Sequence, residues 1–372
     1  MKVRLGDYIK EYSVKNKLNE DIPVYSVTNT QGFCRDYFGK EVASKNKTTY
    51  KIVPKGYFAY NPSRINVGSV DWQRDEERVI VSPLYNVFSV SKELNQQYLY
   101  YYLKSNYALQ RIGAVATGSV RDNLKFSMLC NFPIELPSIR EQHQIVNVLN
   151  KISKIIKLRQ KEIEMLDELT KARFVEMFGE MKETTKLSRY ITELRAGKSL
   201  AGTKICKNKV LKTGAATFGY FDKTQFKYYP EDYEPNPLHK VEDGDVIISR
   251  MNTPNLVGSC SYVYKAPEDT YYPDRLWKTI VSENTNPIFL WHLLWQQEIR
   301  KQIKENSFGT SGTMNNISKV KMLNIKAIDV PIELQNQFAD FVRETDKSRL
   351  KIQKSLESTQ ELFDSLMQKY FG

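Results

Sequence analysis

Two long stretches of the chain place apolar residues at alternating steps of four and three. The first runs from Ile145 to Met177, and seven of the ten positions reached by these steps are apolar. The second runs from Phe338 to Tyr370 and again has seven apolar residues at ten positions. A sustained period of 3.5 residues with charged flanks is typical of helices that pack against each other in a coiled coil.

The two stretches are copies of one another. With a shift of 193 residues, 139–179 falls on 332–372 without a gap, and each copy starts shortly after a proline and ends on Phe-Gly. Such prolines and glycines are start and stop signals for a helix. Upstream, NVGS pairs with LVGS, and ATGSVRDNLKFSML pairs with TSGTMNNISKVKML. The chain is therefore a repeat, in which each copy is a globular domain followed by a long helix.

The length of the helices predicts that they pair with each other. A helix of 41 residues is about 60 Å long, which is more than a single small domain needs; packing of each helix on its own domain is the alternative. Because helix one ends where domain two begins, helix two must run back along it. We expect an antiparallel pair with the globular domains at opposite ends and Gly372 close to Met1. The predicted globular domains are 1–138 and 180–331, and the predicted helices are 139–179 and 332–372.

Inside the globular domains the pattern is mixed. YKIVPKGYFAYN and KVEDGDVIISR predict strands joined by glycine turns. QQYLYYYLKS and PIFLWHLLWQQEIRKQI predict short helices. The fold class is therefore α+β, with two pseudo-symmetric α/β domains separated by an antiparallel two-helix coiled coil.

The charge lies on the globular domains. The chain has a net charge of +12, of which the two helices together carry +1 and the remainder carries +11. An excess of Lys and Arg favours a polyanionic partner, because each cation set against a phosphate releases condensed counterions. The alternative is a basic protein without such a partner.

The four cysteines stand far apart, and no CxxC pair or Cys/His cluster gives the spacing of a zinc site. Scattered single cysteines fit a reducing compartment. The first residues lack the apolar run of a signal peptide, and no stretch approaches the length of a membrane span. We expect a cytoplasmic protein with no membrane partner.

The motifs of catalysis are incomplete. Asn61-Pro62-Ser63 lacks the second proline and the aromatic residue of an adenine methyltransferase motif, and Gly197-Lys198-Ser199 ends a phosphate-binding loop whose first glycine is replaced by Thr192. His143, His239 and His292 are isolated in sequence, whereas a general base needs an orienting partner. We therefore predict no catalytic, cofactor-binding or metal-binding residue. Carboxylates are abundant, so a metal-dependent nuclease site stays open as an alternative.

The repeated architecture resembles the DNA specificity subunit of type I restriction–modification enzymes. The stretch LPSIREQHQIVNVLNKISKIIKLRQKEIEMLDELTKARFVEMFG is similar to the central helical region of that family, and YNPSRINVGS and PDRLW are similar to segments of its target-recognition domains. The second copy departs from the pattern, with ISRMNTPNLVGS in place of YNPSRINVGS. This departure leaves open whether Arg250 takes the role of Arg64.

The resemblance implies a chain without catalytic activity that reads a double-stranded DNA target in two halves, one for each recognition domain. It implies two modification subunits as partners, which carry S-adenosylmethionine and methylate adenine, and restriction subunits as optional partners, which use ATP and Mg²⁺. The paired helices would then set the distance between the half-targets. Two rival functions are a single-chain, metal-dependent DNA endonuclease and a structural rod with two peptide-binding heads.

Arg, Lys and Asn can read base edges, and hydroxyl residues beside glycine can bind phosphate. On this chemistry, the predicted DNA contacts are Arg35, Lys45, Lys47, Arg64, Ser119, Arg121, Lys204, Lys207, Arg250, Asn252, Asn255, Lys278, Ser311 and Thr313. The residues predicted to form the core of the helix pair or to dock a partner subunit are Ile145, Leu149, Ile156, Phe174, Phe178, Val342, Ile352, Leu356, Phe363, Tyr370 and Phe371.

Overall fold

The chain divides into two contact units that each combine a globular domain with parts of both long helices. Unit 1 contains Met1–Lys161 together with Gln353–Gly372, and unit 2 contains Glu162–Ile352. The computed structural model describes residues 2–35, 46–115, 123–309 and 314–372.

Unit 1 is built on a four-stranded antiparallel sheet with the strand order β2-β9-β6-β7, accompanied by the pairs β1–β10, β3–β4 and β5–β8. Its strands are β1 (Lys2–Arg4), β2 (Ile9–Glu11), β3 (Ser26–Thr28), β4 (Gly32–Cys34), β5 (Lys51–Pro54), β6 (Phe58–Tyr60), β7 (Val70–Trp72), β8 (Arg78–Val81), β9 (Asn86–Val90) and β10 (Pro133–Glu135). Its helices are α1 (Gln96–Lys104), α2 (Asn106–Val115) and α3 (Phe126–Leu129), and the chain then enters α4 (Ile139–Phe178).

Unit 2 repeats the four-stranded sheet, in the order β12-β19-β15-β17, and adds a three-stranded sheet, β14-β13-β18, and the pairs β11–β21 and β16–β20. Its strands are β11 (Thr184–Lys186), β12 (Ile191–Arg195), β13 (Lys209–Leu211), β14 (Phe226–Tyr228), β15 (Val246–Ser249), β16 (Met251–Asn252), β17 (Cys260–Tyr262), β18 (Thr270–Tyr271), β19 (Leu276–Val281), β20 (Asn315–Asn316) and β21 (Lys326–Ile328). Its helices are α5 (Pro287–Leu294), α6 (Gln297–Asn306) and α7 (Lys319–Leu323), followed by α8 (Ile332–Phe371).

The two long helices pack together, and the α+β class is confirmed. The apolar period selects ten positions on α4 and ten on α8, and all twenty are buried or half-buried. We call these positions the seam of the helix pair. Polar residues fit in this seam because their polar groups are bonded: the hydroxyls of Thr170 and Thr345 donate to backbone carbonyls of their own helices at 2.9 and 3.0 Å, and Arg349 of α8 forms an ion pair with Asp167 of α4.

The helices run antiparallel. In unit 1, Leu149 near the start of α4 shares a core with Met367 and Phe371 near the end of α8. In unit 2 the order is reversed, since Phe178 at the end of α4 shares a core with Phe338 near the start of α8. Each globular domain therefore packs on the beginning of one helix and on the end of the other.

A buried glutamine joins each globular domain to the helix that follows it. In unit 1, Gln142 accepts a hydrogen bond from the backbone N–H of Asn95 at 2.8 Å, and its amide donates to the carbonyls of Glu93 and Pro137, each at 2.9 Å. In unit 2, Gln335 makes the same three contacts, with the N–H of Asn286 and the carbonyls of Asn284 and Val330. Both glutamines are fully buried.

Replacing Gln142 with Leu should lower the free energy of unfolding by about 1–3 kcal/mol, because it leaves buried backbone groups without a partner. The measurement is urea-induced unfolding. Gln144→Leu is the matched control, since Gln144 is exposed on the same helix. Equal midpoints for the two variants would show that this joint does not stabilise unit 1.

Candidate nucleic-acid interface

The backbone turns from β6 into β7 through residues 61–69, here called the unit 1 loop. The N–H of Asn61 donates to the carbonyl of Ser69 at 3.2 Å, and the side chain of Asn61 accepts from the N–H of Ser63 at 3.1 Å. Gly68 has a φ of +87°, a conformation that an L side chain rarely adopts. The loop is thus closed by its own hydrogen bonds. It presents Arg64, which is exposed and has no side-chain partner among the residues that the structure describes.

A lysine outside the unit 1 loop holds it in place. The ammonium group of Lys104, at the end of α1, donates to the carbonyl of Gly68 in the loop and to the carbonyl of Asn29 at 3.0 Å. Lys104 also lies over the ring of Tyr100 at 5.5 Å. Burial lowers the pKa of Lys104 from its usual value. This role of Lys104 was not predicted from the sequence. Lys104 lies near the end of the predicted helix QQYLYYYLKS, whose aromatic residues indicate a buried environment.

Residues 249–259, the unit 2 loop, connect β15 to β17 in the same way. The N–H of Ser249 donates to the carbonyl of Ser259 at 2.8 Å. Gly258 has a φ of +73°. The unit 2 loop therefore occupies the position in its sheet that the unit 1 loop occupies in the other.

One further hydrogen bond aligns the starts of the two loops, of which the unit 2 loop is two residues longer. The N–H of Leu124 donates to the carbonyl of Pro62 at 3.1 Å, and the N–H of Ile317, 193 residues later, donates to the carbonyl of Arg250 at 3.1 Å. Arg250 is therefore the counterpart of Pro62. Counting forward from this anchor, Asn252 stands two residues after Arg250, as Arg64 stands two residues after Pro62.

The polar side chains of the unit 2 loop are tied to neighbouring elements. Arg250 is half-buried, its Nε lies 3.4 Å from Oδ1 of Asn316, and its guanidinium lies over Trp277. Asn252 donates to the hydroxyl of Ser249 at 3.4 Å, and β16, which contains Asn252, pairs with β20. This pairing brings the consecutive asparagines Asn315 and Asn316 beside the loop, a cluster that was not predicted.

Helix α6 adds two cations to the unit 2 loop. Arg300 donates to the carbonyl of Asn255 at 3.1 Å, and the ammonium group of Lys304 lies 3.3 Å from Oδ1 of Asn255. Neither cation was among the predicted contacts. Their signal in the sequence is the basic end of the predicted helix, QQEIRKQIK, which the folding of unit 2 brings to the loop.

Four other predicted DNA contacts are cations engaged in surface ion pairs. The paired atoms are Arg35 with Glu76 at 3.3 Å, Lys47 with Asp21 at 3.6 Å, Lys204 with Glu231 at 3.3 Å, and Lys207 with Asp269 at 3.8 Å. Exposed pairs of this kind are worth about 0–1 kcal/mol, so a phosphate can replace the carboxylate at little cost. The four acidic partners lie outside the two loops.

Lys278 was predicted to contact DNA, but its side chain is buried. It stands in the middle of β19, its side chain is 8% exposed, and its ammonium group lies 3.4 Å from Asp245 and contacts Glu242. The same group donates to the carbonyl of Lys240 at 3.1 Å. The physical reason is that a central strand is covered on both faces, so that Lys278 neutralises a buried carboxylate and does not reach solvent.

Five predicted contacts lie outside the described residues, namely Lys45, Ser119, Arg121, Ser311 and Thr313. Over the described ranges, no group of three or more His, Cys, Asp or Glu side chains is arranged to hold a metal ion. Burial lowers the pKa of His292 to about 3, which keeps this imidazole uncharged at neutral pH. Among the helices of the described part of the chain, none has the length and apolar character required to span a membrane.

The comparisons with known proteins agree on one family. The family model for the type I restriction modification DNA specificity domain matches residues 2–168. The specificity subunit of the type I restriction enzyme MjaVIII from Methanocaldococcus jannaschii is 24% identical, over 92% of this chain and 85% of its own length. The specificity subunit of the type I restriction enzyme EcoKI from Escherichia coli K12 is 19% identical, over 99% of this chain and 86% of its own length.

Solved structures show the same fold. The crystal structure of the S subunit of a type I restriction–modification system from M. genitalium matches with a TM-score of 0.60 at 16% identity, covering 100% of this chain and 96% of that one. A chain from a study of complex assembly and conformational transition in the type I system matches with a TM-score of 0.58 at 15% identity, covering 100% and 97%. The family match over residues 2–168, the two related specificity subunits and this common fold together support an S subunit of a type I restriction–modification system.

Proposed function

We propose that this specificity subunit reads a DNA target in two halves, one with the unit 1 loop and one with the unit 2 loop. The observation that carries the proposal is the recurrence of the loop. Each unit closes a loop at the same place in the same sheet and anchors it with the same hydrogen bond, yet the two loops carry different polar side chains. Equivalent positions with different side chains suit two readers of different sequences.

The chemistry of the loops fits contacts to base edges. Arg64 is exposed on a loop that its own hydrogen bonds close, and arginine binds O6 and N7 of guanine with two hydrogen bonds. Asn252 takes its place in the unit 2 loop, and asparagine pairs in the same manner with adenine. Arg300 and Lys304 supply positive charge beside the unit 2 loop, which favours phosphate contacts that position the reader.

The partners implied by the family are two modification subunits, which carry S-adenosylmethionine, and optional restriction subunits, which use ATP and Mg²⁺. We propose that α4 contributes to docking the modification subunits. It exposes large apolar side chains outside the seam with α8: Val148, Ile155 and Leu158 in unit 1, and Met165, Leu169 and Val175 in unit 2. Exposed apolar groups in such number on one helix are typical of protein–protein interfaces.

Replacing Arg64 with Ala should weaken binding of the assembled complex to its target by about 1–3 kcal/mol and relax the preference at one base pair. The physical reason is the loss of a bidentate contact to a base edge. The measurement is binding to the target and to its single-base variants, at several salt concentrations.

Lys10→Ala is the matched control, because it removes one exposed positive charge from β2 in the same unit. If Arg64 instead contacts a phosphate, its loss would weaken binding to all sequences equally. The slope of log affinity against log salt concentration would then become smaller by about one. Unchanged affinity and unchanged preference would remove Arg64 from the contacts.

A further inference from the structure

Unit 2 exposes two aromatic rings on one tight turn. Phe218 is 71% exposed and Tyr220 is 60% exposed, and they flank Gly219, whose φ of +86° favours glycine. We call residues 217–221 the aromatic turn. Side chains of this size are normally covered, and two of them on a single turn form an apolar projection.

The aromatic turn is held at both ends. The hydroxyl of Thr217 donates to the carbonyl of Thr213 at 2.9 Å, and Phe221 packs against the core that contains Ala215. After the turn, the N–H of Asp222 donates to the carbonyl of Ala215 at 3.0 Å. The turn therefore presents its two exposed rings from a fixed base, which reduces the entropy lost when the rings bind a partner.

The aromatic turn lies beside the unit 2 loop. A Cβ atom added to Gly219 would lie 3.5 Å from the ring of Trp295, so this ring packs directly beneath the turn. The guanidinium of Arg300 lies 5.1 Å from the centre of the same ring and donates to the carbonyl of Asn255 at 3.1 Å. Two side chains thus connect the aromatic turn to the loop that we propose reads DNA.

The charge around the aromatic turn indicates the class of partner. Lys212, Lys223 and Lys227 are exposed on either side of it, whereas Asp222 is the one acid between Lys209 and Tyr228. A positively charged surface with projecting aromatic rings is complementary to DNA, whose phosphates attract the lysines and whose bases stack on or separate around the rings.

We infer that Phe218 and Tyr220 form an aromatic wedge that enters a base step of the DNA next to the half-target read by the unit 2 loop. This inference rests on the proposed function. The wedge contacts bases through ring stacking, so it selects for steps that unstack easily and not for hydrogen-bonding groups. Pyrimidine–purine steps deform most readily and are the expected site.

The test uses the chain assembled with its modification subunits and a DNA duplex that carries the target, which is first mapped by sequencing methylated adenines. 2-Aminopurine replaces a base at successive positions around the second half-target, apart from the methylated adenine, because modification itself takes that base out of the stack. In the unaltered complex, the fluorescence of 2-aminopurine should increase at one base step. The double variant Phe218→Ala, Tyr220→Ala should lose this increase and should bind the DNA roughly 10-fold or more weakly.

Two controls accompany this variant. Leu238→Ala removes an apolar side chain of unit 2 that is also 60% exposed, and it should leave both signals unchanged. Phe218→Tyr with Tyr220→Phe keeps both rings and should retain binding. Each protein is first checked for assembly with the modification subunits and for its thermal unfolding midpoint.

The outcomes separate the two proposals. If neither the unaltered complex nor Leu238→Ala prefers any DNA sequence, the proposed function fails. If both bind the target selectively and the double variant binds and fluoresces as they do, the wedge is wrong although the proposed function stands. If the double variant fails to assemble with the modification subunits but has the same thermal unfolding midpoint as the unaltered protein, the turn docks a protein subunit. The wedge is then again wrong. The single variant Phe218→Ala, which truncates a mostly exposed side chain, provides the same comparison should the double variant unfold.

Discussion

Exchanging residues 1–136 for the corresponding region of a related specificity subunit is expected to change one half of the methylated DNA target and to leave the other half unaltered. The reason lies in how unit 1 is joined to α4. Gln142 binds the N–H of Asn95 and the carbonyls of Glu93 and Pro137, all of which are backbone groups. A domain with different side chains can therefore make the same joint.

The apolar part of the joint also lies largely on the helices. Leu149 of α4 and Met367 and Phe371 of α8 stay in place after the exchange and offer the new domain the same apolar surface. The measurement is sequencing of methylated adenines in DNA modified by the complex.

The reciprocal exchange of residues 180–331 is the matched control and should alter only the other half of the target. If either exchange altered both halves, the two domains would not read DNA independently. An unaltered target after both exchanges would mean that neither domain supplies the specificity.

Replacing Phe178 with Ala should lower the free energy of unfolding by about 3–5 kcal/mol, the usual cost of removing a buried phenylalanine side chain. Phe178 is almost fully buried. Its ring lies 4.9 Å from that of Phe174, 5.3 Å from Phe289 and 5.6 Å from Phe338. This cluster joins α4, α5 and α8, so the cavity left by the substitution would be lined by all three helices.

The measurement is urea-induced unfolding of the isolated chain. Val175→Ala is the matched control, because Val175 is exposed on the same turn of α4 and its loss should cost less than about 0.5 kcal/mol. A cost for Phe178→Ala as small as that of Val175→Ala would mean that the aromatic cluster does not stabilise unit 2.

The long helices could be predicted almost completely from the sequence, because the period that selects the seam is local. Helix α4 ends at Phe178 and α8 at Phe371, each one residue before the glycine that closes the predicted segment. QQYLYYYLKS forms α1, and PIFLWHLLWQQEIRKQI forms α5 and α6. The residues predicted for the core of the helix pair or for docking are all buried or half-buried.

Strand pairing could not be predicted, since it depends on partners far along the chain. YKIVPKGYFAYN contains two strands, β5 and β6, that belong to different sheets. In KVEDGDVIISR only Val246–Ser249 forms a strand of the four-stranded sheet. A local pattern of apolar and polar residues does not specify which edge a strand joins.

The same limit applies to the candidate interface. Arg64 and Arg250 stand in similar segments before a glycine. Only the hydrogen bonds to the backbone carbonyls of Pro62 and Arg250 show that Arg250 corresponds to Pro62 and not to Arg64. Lys278 was selected for its charge, and its burial follows from the position of β19 between β12 and β15. Arg300 reaches the unit 2 loop from α6 through tertiary folding alone.

We propose that this chain selects the DNA sequence while its partner subunits carry out the chemistry. The most direct test is to map methylated adenines after incubating DNA with S-adenosylmethionine, the modification subunits, and this chain added or withheld. We predict methylation at one two-part target when the chain is present, and none when the chain or the modification subunits are withheld. Methylation of the same target without the chain, methylation or cleavage of DNA by the chain alone, or a single uninterrupted target would contradict the account.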